Sequence, residues 1–173
     1  MYKRIVEHKT RAGYALLNRG RFAELVQQFD PHVRFTFAGD HALAVHASGR
    51  DEALAWFERV GRLMPGLTLT PSVIVVQGPP WDTRVATRFT VEATLDGGQR
   101  YANAGMQLIR LRWGKVVEDH LHEDTQAVAH ALEHLSARGH AEASELPDNR
   151  LDSGGARDVG GHAENGVVAA EAE

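Results

Sequence analysis

Apolar residues recur with helical spacing in the first part of the chain and with the spacing of strands in the second. The helical spacing predicts three helices, over residues 3–19, 22–29 and 51–64. Val33, Phe35 and Phe37 alternate with polar residues, which predicts a half-buried strand between the second and third helices. A short stretch at 43–47 is expected to pair beside it.

Four extended runs follow the third helix, at residues 67–77, 84–95, 100–113 and 116–123. The sequences between them, such as Asp96-Gly97-Gly98 and Gly114-Lys115, are typical of turns, so the four runs predict an antiparallel meander. A last helix is expected from Thr125 to Ala137, with Asp124 as its N-cap. This order of elements predicts an α+β fold in which helices cover one face of a curved antiparallel sheet.

Composition and length change this picture little. The chain has 173 residues, of which 43% are hydrophobic, and no run approaches the ~18 apolar residues that a membrane span needs. The N-terminus shows no secretory signal, so we expect a cytoplasmic protein without a membrane partner. There is no cysteine, which leaves histidine, aspartate and glutamate as possible metal ligands.

The net charge of −4 is concentrated at the C-terminus. Residues 140–173 hold eight acidic residues and two arginines, which leaves 17 basic and 15 acidic residues in 1–139. We therefore expect an almost neutral domain at 1–139, with no nucleic-acid partner, and a disordered acidic, glycine-rich tail at 140–173.

A hairpin turn at Gly114-Lys115 would pair Trp113 with Val116 and thereby fix the faces of the last two strands. One face then carries three cross-strand pairs that look structural: Arg110 with Asp119, Leu108 with Leu121, and Met106 with Glu123. The other face collects polar pairs that include Ile109 with His120, Gln107 with His122, and Gly105 with Asp124. If the helices cover this second face, it lines an enclosed cleft.

Such a cleft could bind a small molecule and transfer protons. We predict His122, His120 and Asp124 as acid/base candidates, because imidazoles and partly buried carboxyls titrate near neutral pH. The alternative is that both histidines lie at a wet sheet margin or a subunit contact. The His120-x-His122 pair could also bind a metal with Glu118 or Asp124, but solvated or hydrogen-bonded histidines are the preferred interpretation, so no metal or cofactor is expected.

The substrate-binding residues are predicted by the same reasoning. Asn103 and Gln107 could donate hydrogen bonds to a substrate oxygen, and Tyr14 could point its hydroxyl into the cleft from the first helix. The apolar wall is predicted to comprise Phe37, Trp56 and Ile109. Asp40 lies in a loop at a strand end and could face the cleft mouth, although an Asp after Gly is more often turn chemistry.

Several motifs, in this order and spacing, resemble a known family. They are Asn18-Arg19-Gly20-Arg21-Phe22, Gly49-Arg50-Asp51-Glu52-Ala53, Tyr101-Ala102-Asn103-Ala104-Gly105, and the stretch from Arg110 to Asp119 continued by Glu123-Asp124-Thr125-Gln126. From about residue 3 to 139 the chain resembles a SnoaL-like member of the nuclear transport factor 2-like superfamily. That resemblance implies a cone-shaped α+β barrel and a homodimer, for which Leu108 and Leu121 on the outer sheet face would give a surface.

The resemblance implies function more loosely, because the superfamily includes cyclases, isomerases and proteins that only bind a ligand. SnoaL-like polyketide cyclases use an acidic residue on or near the last strand, to which Asp124 or His122 is the nearest match. Ketosteroid isomerases use a tyrosine similar to Tyr14 and a base on the first strand, where this chain has Phe37, with Asp40 three residues on. We expect cofactor-independent proton transfer on a hydrophobic carbonyl compound, or a non-catalytic ligand-binding or dimerisation module.

Overall fold

The computed structural model describes residues 1–146 of the chain. Its helices are α1 (Tyr2–Asn18), α2 (Phe22–Val26), α3 (Arg50–Leu63) and α4 (Thr125–Ala137). Its strands are β1 (Phe29–Phe37), β2 (Val45–Ser48), β3 (Thr68–Gln77), β4 (Thr83–Thr94), β5 (Arg100–Arg112) and β6 (Lys115–Glu123). The predicted tail lies outside the described residues from 147 onward.

The six strands form one sheet in the order β2-β1-β6-β5-β4-β3. The predicted meander of β3 to β6 is confirmed, and so is the α+β class with helices on one face of a curved sheet. The parallel pairing of β1 with β6, which the sequence did not predict, places the first strand inside the sheet between β2 and β6. Residues from α1, α3 and β6 therefore meet on one concave side.

The second helix is shorter than predicted and β1 is longer. α2 ends at Val26, and β1 begins at Phe29, where Phe29 pairs with Val116 of β6. Phe29 fits the helical spacing of Phe22, Leu25 and Val26, but in the structure it is a buried residue of β1. Tertiary burial here overrides the local pattern.

Aromatic side chains fill the space between α3 and β1. The ring of Trp56 lies 4.8 Å from that of Phe35 and 5.2 Å from that of Phe37, measured between centroids. The ring of Phe57 is 5.3 Å from that of Phe35. Burying rings of this size contributes several kcal/mol of stability and holds α3 over the sheet.

The predicted register of the β5–β6 hairpin was wrong. The turn residues are Trp113 and Gly114, both with positive φ as a type I′ turn requires, so the hairpin turns one residue earlier than expected. A bulge then leaves Val117 between the Leu111–Val116 and Arg110–Glu118 pairs. The net register shift is one residue relative to the prediction. The β6 side chains that were predicted to face the helices therefore face outward, and the others face inward.

The C-terminal helix is capped at its start, and the short helix that follows it contacts α3. Asp124 caps α4 as predicted, since its carboxylate accepts the backbone N–H groups of Gln126 and Ala127. Beyond α4, a one-turn helix at Ala141–Ala143 packs against α3, where Arg62 pairs with Glu142 at 2.8 Å. Packing thus continues past residue 139, the expected domain end. No helix among residues 1–146 is long and apolar enough to cross a membrane.

Candidate active site

The concave face of the sheet carries two carboxyl groups of β6. Asp119 pairs with Ile109 across the hairpin, and Glu123 pairs with Gly105. Gly105 is needed here, because an added Cβ would lie 2.5 Å from the ring of Phe89. The alternation of the strand therefore places Asp119 and Glu123 on the same, helix-covered side.

Asp119 is the end of a hydrogen-bonded chain that begins on α1. The Tyr14 hydroxyl donates to Oε1 of Gln107 at 2.6 Å. The Gln107 amide nitrogen then donates to both carboxylate oxygens of Asp119, at 2.9 and 3.0 Å. Asp119 is only 1% exposed. Burial raises its pKa to about 7, although the Gln107 hydrogen bond favours the ionised form.

Glu123 forms a second chain of the same chemical kind. Its Oε2 accepts hydrogen bonds from the Tyr101 hydroxyl and from the Asn103 amide, both at 3.1 Å. Asn103 also donates to the Tyr101 oxygen at 2.9 Å. Burial raises the pKa of Glu123 to about 7, against the opposing effect of these two donors. Within the described residues, no ion pair involves either Glu123 or Asp119.

Two adjoining cavities reach these carboxyls. The larger, of about 600 Å³, includes Glu123 and Tyr101 in its wall, and its size suits a drug-sized molecule. Aromatic side chains contribute much of its remaining surface: Phe22, Phe37, Trp56 and Phe57. The smaller, of about 130 Å³, is lined by Tyr14, Gln107 and Asp119. A buried carboxyl that titrates near pH 7 at the wall of an apolar cavity can accept and return a proton.

The register change separates the predicted acid/base histidines from the cavities. His120 pairs with Leu108 and His122 with Met106 on the outer face of the sheet. There His120 Nδ1 lies 2.8 Å from the Thr36 hydroxyl, and His122 is exposed. The third candidate, Asp124, is exposed and caps α4. The expectation that these three side chains line the cleft was therefore wrong.

The predicted substrate-binding residues fall into three groups. Tyr14, Gln107 and Ile109 line the smaller cavity, while Phe37 and Trp56 line the larger one. Asn103 stands behind Glu123 as its hydrogen-bond donor. Asp40 is exposed and lines neither cavity.

The sequence reasoning missed Asp119, Glu123 and Tyr101. The β5 face was assigned correctly, so Asn103, Gln107 and Ile109 face inward as expected. Only the face of β6 was predicted wrongly. The prediction placed His120 and His122 toward the cleft, where the structure has Asp119 and Glu123. The pattern Val116-x-x-Asp119-x-Leu121 held a usable signal, because a bulge after Val116 puts both buried apolar residues on one face with Asp119 between them.

A sequence-family comparison identifies the domain. The model of the SnoaL-like domain matches residues 10–119, well over half of the chain. The chain belongs to the SnoaL-like family. No curated protein matches its sequence significantly.

Solved structures support the same fold for this SnoaL-like chain. An NTF2-like protein of unknown function from Burkholderia pseudomallei superposes with a TM-score of 0.64 at 20% identity, covering 72% of this chain and 95% of that one. TerC, co-crystallised with polyporic acid, gives 0.63 at 20% identity over the same shares. A putative SnoaL-like polyketide cyclase from Jannaschia gives 0.54 at 22%, covering 67% and 85%. At these identities the likeness establishes the nuclear transport factor 2-like fold.

Proposed function

We propose that this SnoaL-like protein binds a hydrophobic, carbonyl-bearing molecule in the larger cavity and catalyses cofactor-independent proton transfer on it, with Glu123 as the acid/base group. The observation that carries the proposal is the position of Glu123. It is a carboxyl of raised pKa, without a cationic partner among residues 1–146, in the wall of a largely apolar cavity of about 600 Å³.

The environment of Glu123 fits the two halves of such a reaction. At neutral pH its pKa of about 7 leaves both ionised and protonated forms populated. The ionised carboxylate removes a proton from the carbon next to a carbonyl, and the electron pair moves into an enolate. The protonated carboxyl then returns the proton at another carbon in an isomerisation, or to the new alkoxide after the enolate carbon attacks a second carbonyl in a cyclisation.

The neighbouring groups have positioning roles in this proposal. Tyr101 and Asn103 both hold Oε2 of Glu123, and no hydrogen bond among residues 1–146 reaches its other oxygen, Oε1. Oε1 is therefore the atom we assign to proton transfer. The rings of Phe37 and Trp56 exclude water from an enolate and stack with an apolar substrate body.

The proposal is tested in two steps, a screen for a ligand and a measurement of proton exchange on that ligand. A thermal-shift screen of the full chain against fused-ring ketones, steroid enones and small terpenoids identifies a binder. NMR in D₂O then follows loss of the α-hydrogen signal of that ketone with wild-type protein and with Glu123→Gln. We expect the variant to be folded, with a melting temperature no lower than that of wild type, and to lose about 10²–10⁴-fold in exchange rate.

Two matched controls lie on the other face of the same strand. His122→Gln and Glu118→Gln should leave the exchange rate within about twofold of wild type, because neither side chain lines the larger cavity. An unchanged rate in Glu123→Gln would refute the assignment of the base. Binding without exchange in the wild type would instead favour a non-catalytic ligand-binding module.

A second proposal concerns assembly, and the outer face of the sheet supports it. Four apolar side chains flank Ala86 and Arg88 of β4 there and form an exposed apolar band. They are Val73, Val75, Met106 and Leu108, each between 45% and 60% exposed. Beside it runs a row of alternating charges, in which Asp82 and Glu118 both pair with Arg110, and Glu118 also pairs with Arg34. Exposed apolar side chains beside charges of both signs are typical of a two-fold interface, so we propose a homodimer through this face. Leu121, expected there, is buried on the other side.

A further inference from the structure

Two clusters of identical chemical make-up stand on the concave side of the sheet. Each consists of one tyrosine hydroxyl, one side-chain amide and one carboxyl. The first is Tyr14, Gln107 and Asp119, and the second is Tyr101, Asn103 and Glu123. In both, the amide donates to the carboxylate, and the carboxyl has no cationic partner among the described residues.

The strands fix the separation of the two clusters. Asp119 and Glu123 are four residues apart on one face of β6, and Gln107 and Asn103 are four apart on the same face of β5. At about 3.3 Å per residue, four residues span roughly 13 Å. Between the two carboxyls, on the same face, stands only Leu121, whose side chain is buried in the core.

The two cavities adjoin along an apolar wall. The residues that line both are Leu17, Phe57, Leu69 and Leu121. Phe57, Leu69 and Leu121 are buried, whereas Leu17, in the last turn of α1, is half-buried. Nothing polar in this wall would need to lose a hydrogen bond if it opened.

We propose that the two cavities take one elongated ligand, with a hydrogen-bonding oxygen function at each end and an apolar middle that passes between Leu121 and Leu17. This inference rests on the proposed function and names the substrate class of that site. A ligand with one polar end satisfies the Glu123 cluster alone. A ligand with two polar ends, roughly 13 Å apart, also makes a hydrogen bond to the buried Asp119 cluster.

The experiment compares two rigid probes by isothermal titration calorimetry on the full chain. trans-4,4′-Dihydroxystilbene carries a phenol at each end, and trans-4-hydroxystilbene carries only one. We expect wild-type protein to bind the diol about tenfold tighter than the mono-ol, as one additional buried hydrogen bond allows. Asp119→Leu should abolish this advantage and leave the affinity for the mono-ol within about twofold.

A variant of the wall tests the route between the cavities. Leu17→Trp should block the passage and remove the preference for the diol; because Leu17 also lines the larger cavity, the readout is the ratio of the diol and mono-ol affinities in the same variant. Leu17→Ala should widen the passage and increase the preference. Melting temperatures show which variants are folded, and Leu17→Ala decides the matter if the tryptophan variant is not.

Equal affinity of the wild type for the two probes would overturn the proposal, and so would a preference for the diol that neither Leu17 variant changes. Those results leave the proposed function standing, provided that Glu123→Gln still abolishes proton exchange on a bound ketone. The opposite outcome is also distinguishable. If Glu123→Gln does not slow proton exchange, but the wild type still prefers the diol and a Leu17 variant changes that preference, the protein has an elongated binding site and the proposed catalysis is refuted.

Discussion

Glu118 and Asp119 are consecutive carboxyls of β6, yet the two faces of the strand give them opposite properties. Glu118 faces outward and is only partly buried. Its burial would raise its pKa, but hydrogen bonds from Arg34 and Arg110 outweigh that effect and lower it. Asp119 faces the cavities, where burial dominates and raises its pKa to about 7.

The difference shows that enclosure and the choice of partner, more than residue type, decide which acid can do chemistry at neutral pH. On the outer face, carboxyls are ionised and bound to arginines. On the inner face, the hydrogen bonds that Asp119 and Glu123 receive within residues 1–146 come from neutral amide and hydroxyl donors only. Neutral donors hold a carboxyl in place without fixing its charge, which is what a group that gains and loses a proton requires.

Removing the buried charge should give the largest effect on stability. Because the folded pKa of Asp119 is about 7 and the unfolded value is about 3.9, the folded state binds more protons between these limits. The stabilisation that protonated Asp119 gives to the folded state is therefore fully present below about pH 4 and is lost as the pH rises through 7. We expect Asp119→Asn to match wild type near pH 4 and to exceed it by about 4 kcal/mol above pH 8.

Urea denaturation of both proteins at each pH measures this difference. Taking the difference removes the separate contribution of His41, whose pKa is lowered by burial and which therefore costs stability as the pH falls below about 6.5. A wild-type protein more stable than Asp119→Asn at high pH would contradict the raised pKa.

The pH dependence of catalysis should give the next largest effect. If Glu123 is the base, its ionised form is required, and the exchange rate on a bound ketone should rise about tenfold per pH unit up to its pKa of about 7 and then level off. Rates measured by NMR across pH 5–9 give the profile. A midpoint near 4 would mean that a carboxyl of ordinary pKa does the work.

A charge introduced into the outer face of the sheet should weaken the proposed dimer. Leu108→Glu places a carboxylate in the centre of the exposed apolar band, and we expect it to weaken dimerisation by more than about tenfold in analytical ultracentrifugation. The same substitution should leave ligand affinity unchanged, because Leu108 lines neither of the two cavities at the carboxyls. A wild-type protein that sediments as a monomer at micromolar concentration would contradict the proposed dimer.

The smallest effect is expected from the outer ion pairs. Glu118→Gln removes the charge that Arg34 and Arg110 share, but both arginines remain partly in water. Such pairs contribute roughly 0–1 kcal/mol, so the free energy of unfolding should change by no more than that and with little dependence on pH above 6. A loss of several kcal/mol would show that the outer face is as sensitive as the inner one.

Local patterns in the sequence predicted most of the fold and only half of the site. The elements are long and regular, and Asp124 at the start of α4 was recognisable from its residue type. The β5 side of the cavities also followed from alternation, which gave Gln107, Ile109 and Asn103. The β6 side did not, because the turn at Trp113-Gly114 requires a positive φ in a tryptophan, and the bulge at Val117 is indicated only by the spacing of Val116, Asp119 and Leu121.

The parallel pairing of β1 with β6 could not be predicted for a different reason. It joins segments about 85 residues apart, as in the pair Phe35–Asp119, and no turn sequence connects them. Pairing over that distance is decided by the burial of Phe35 and Phe37 beneath α3, which is a property of the whole domain. The two adjoining cavities follow from this same pairing.

The central claim is that the inner face of β6 carries two carboxyls that titrate near neutral pH, beside an outer-face carboxyl that does not. Side-chain ¹³C-carboxyl NMR of the full chain, titrated from pH 3 to 9 and assigned with Asp119→Asn, Glu123→Gln and Glu118→Gln, tests it directly. The account predicts midpoints near 7 for Asp119 and Glu123 and a midpoint below the ordinary glutamate value for Glu118. Midpoints near 4 for all three would contradict it.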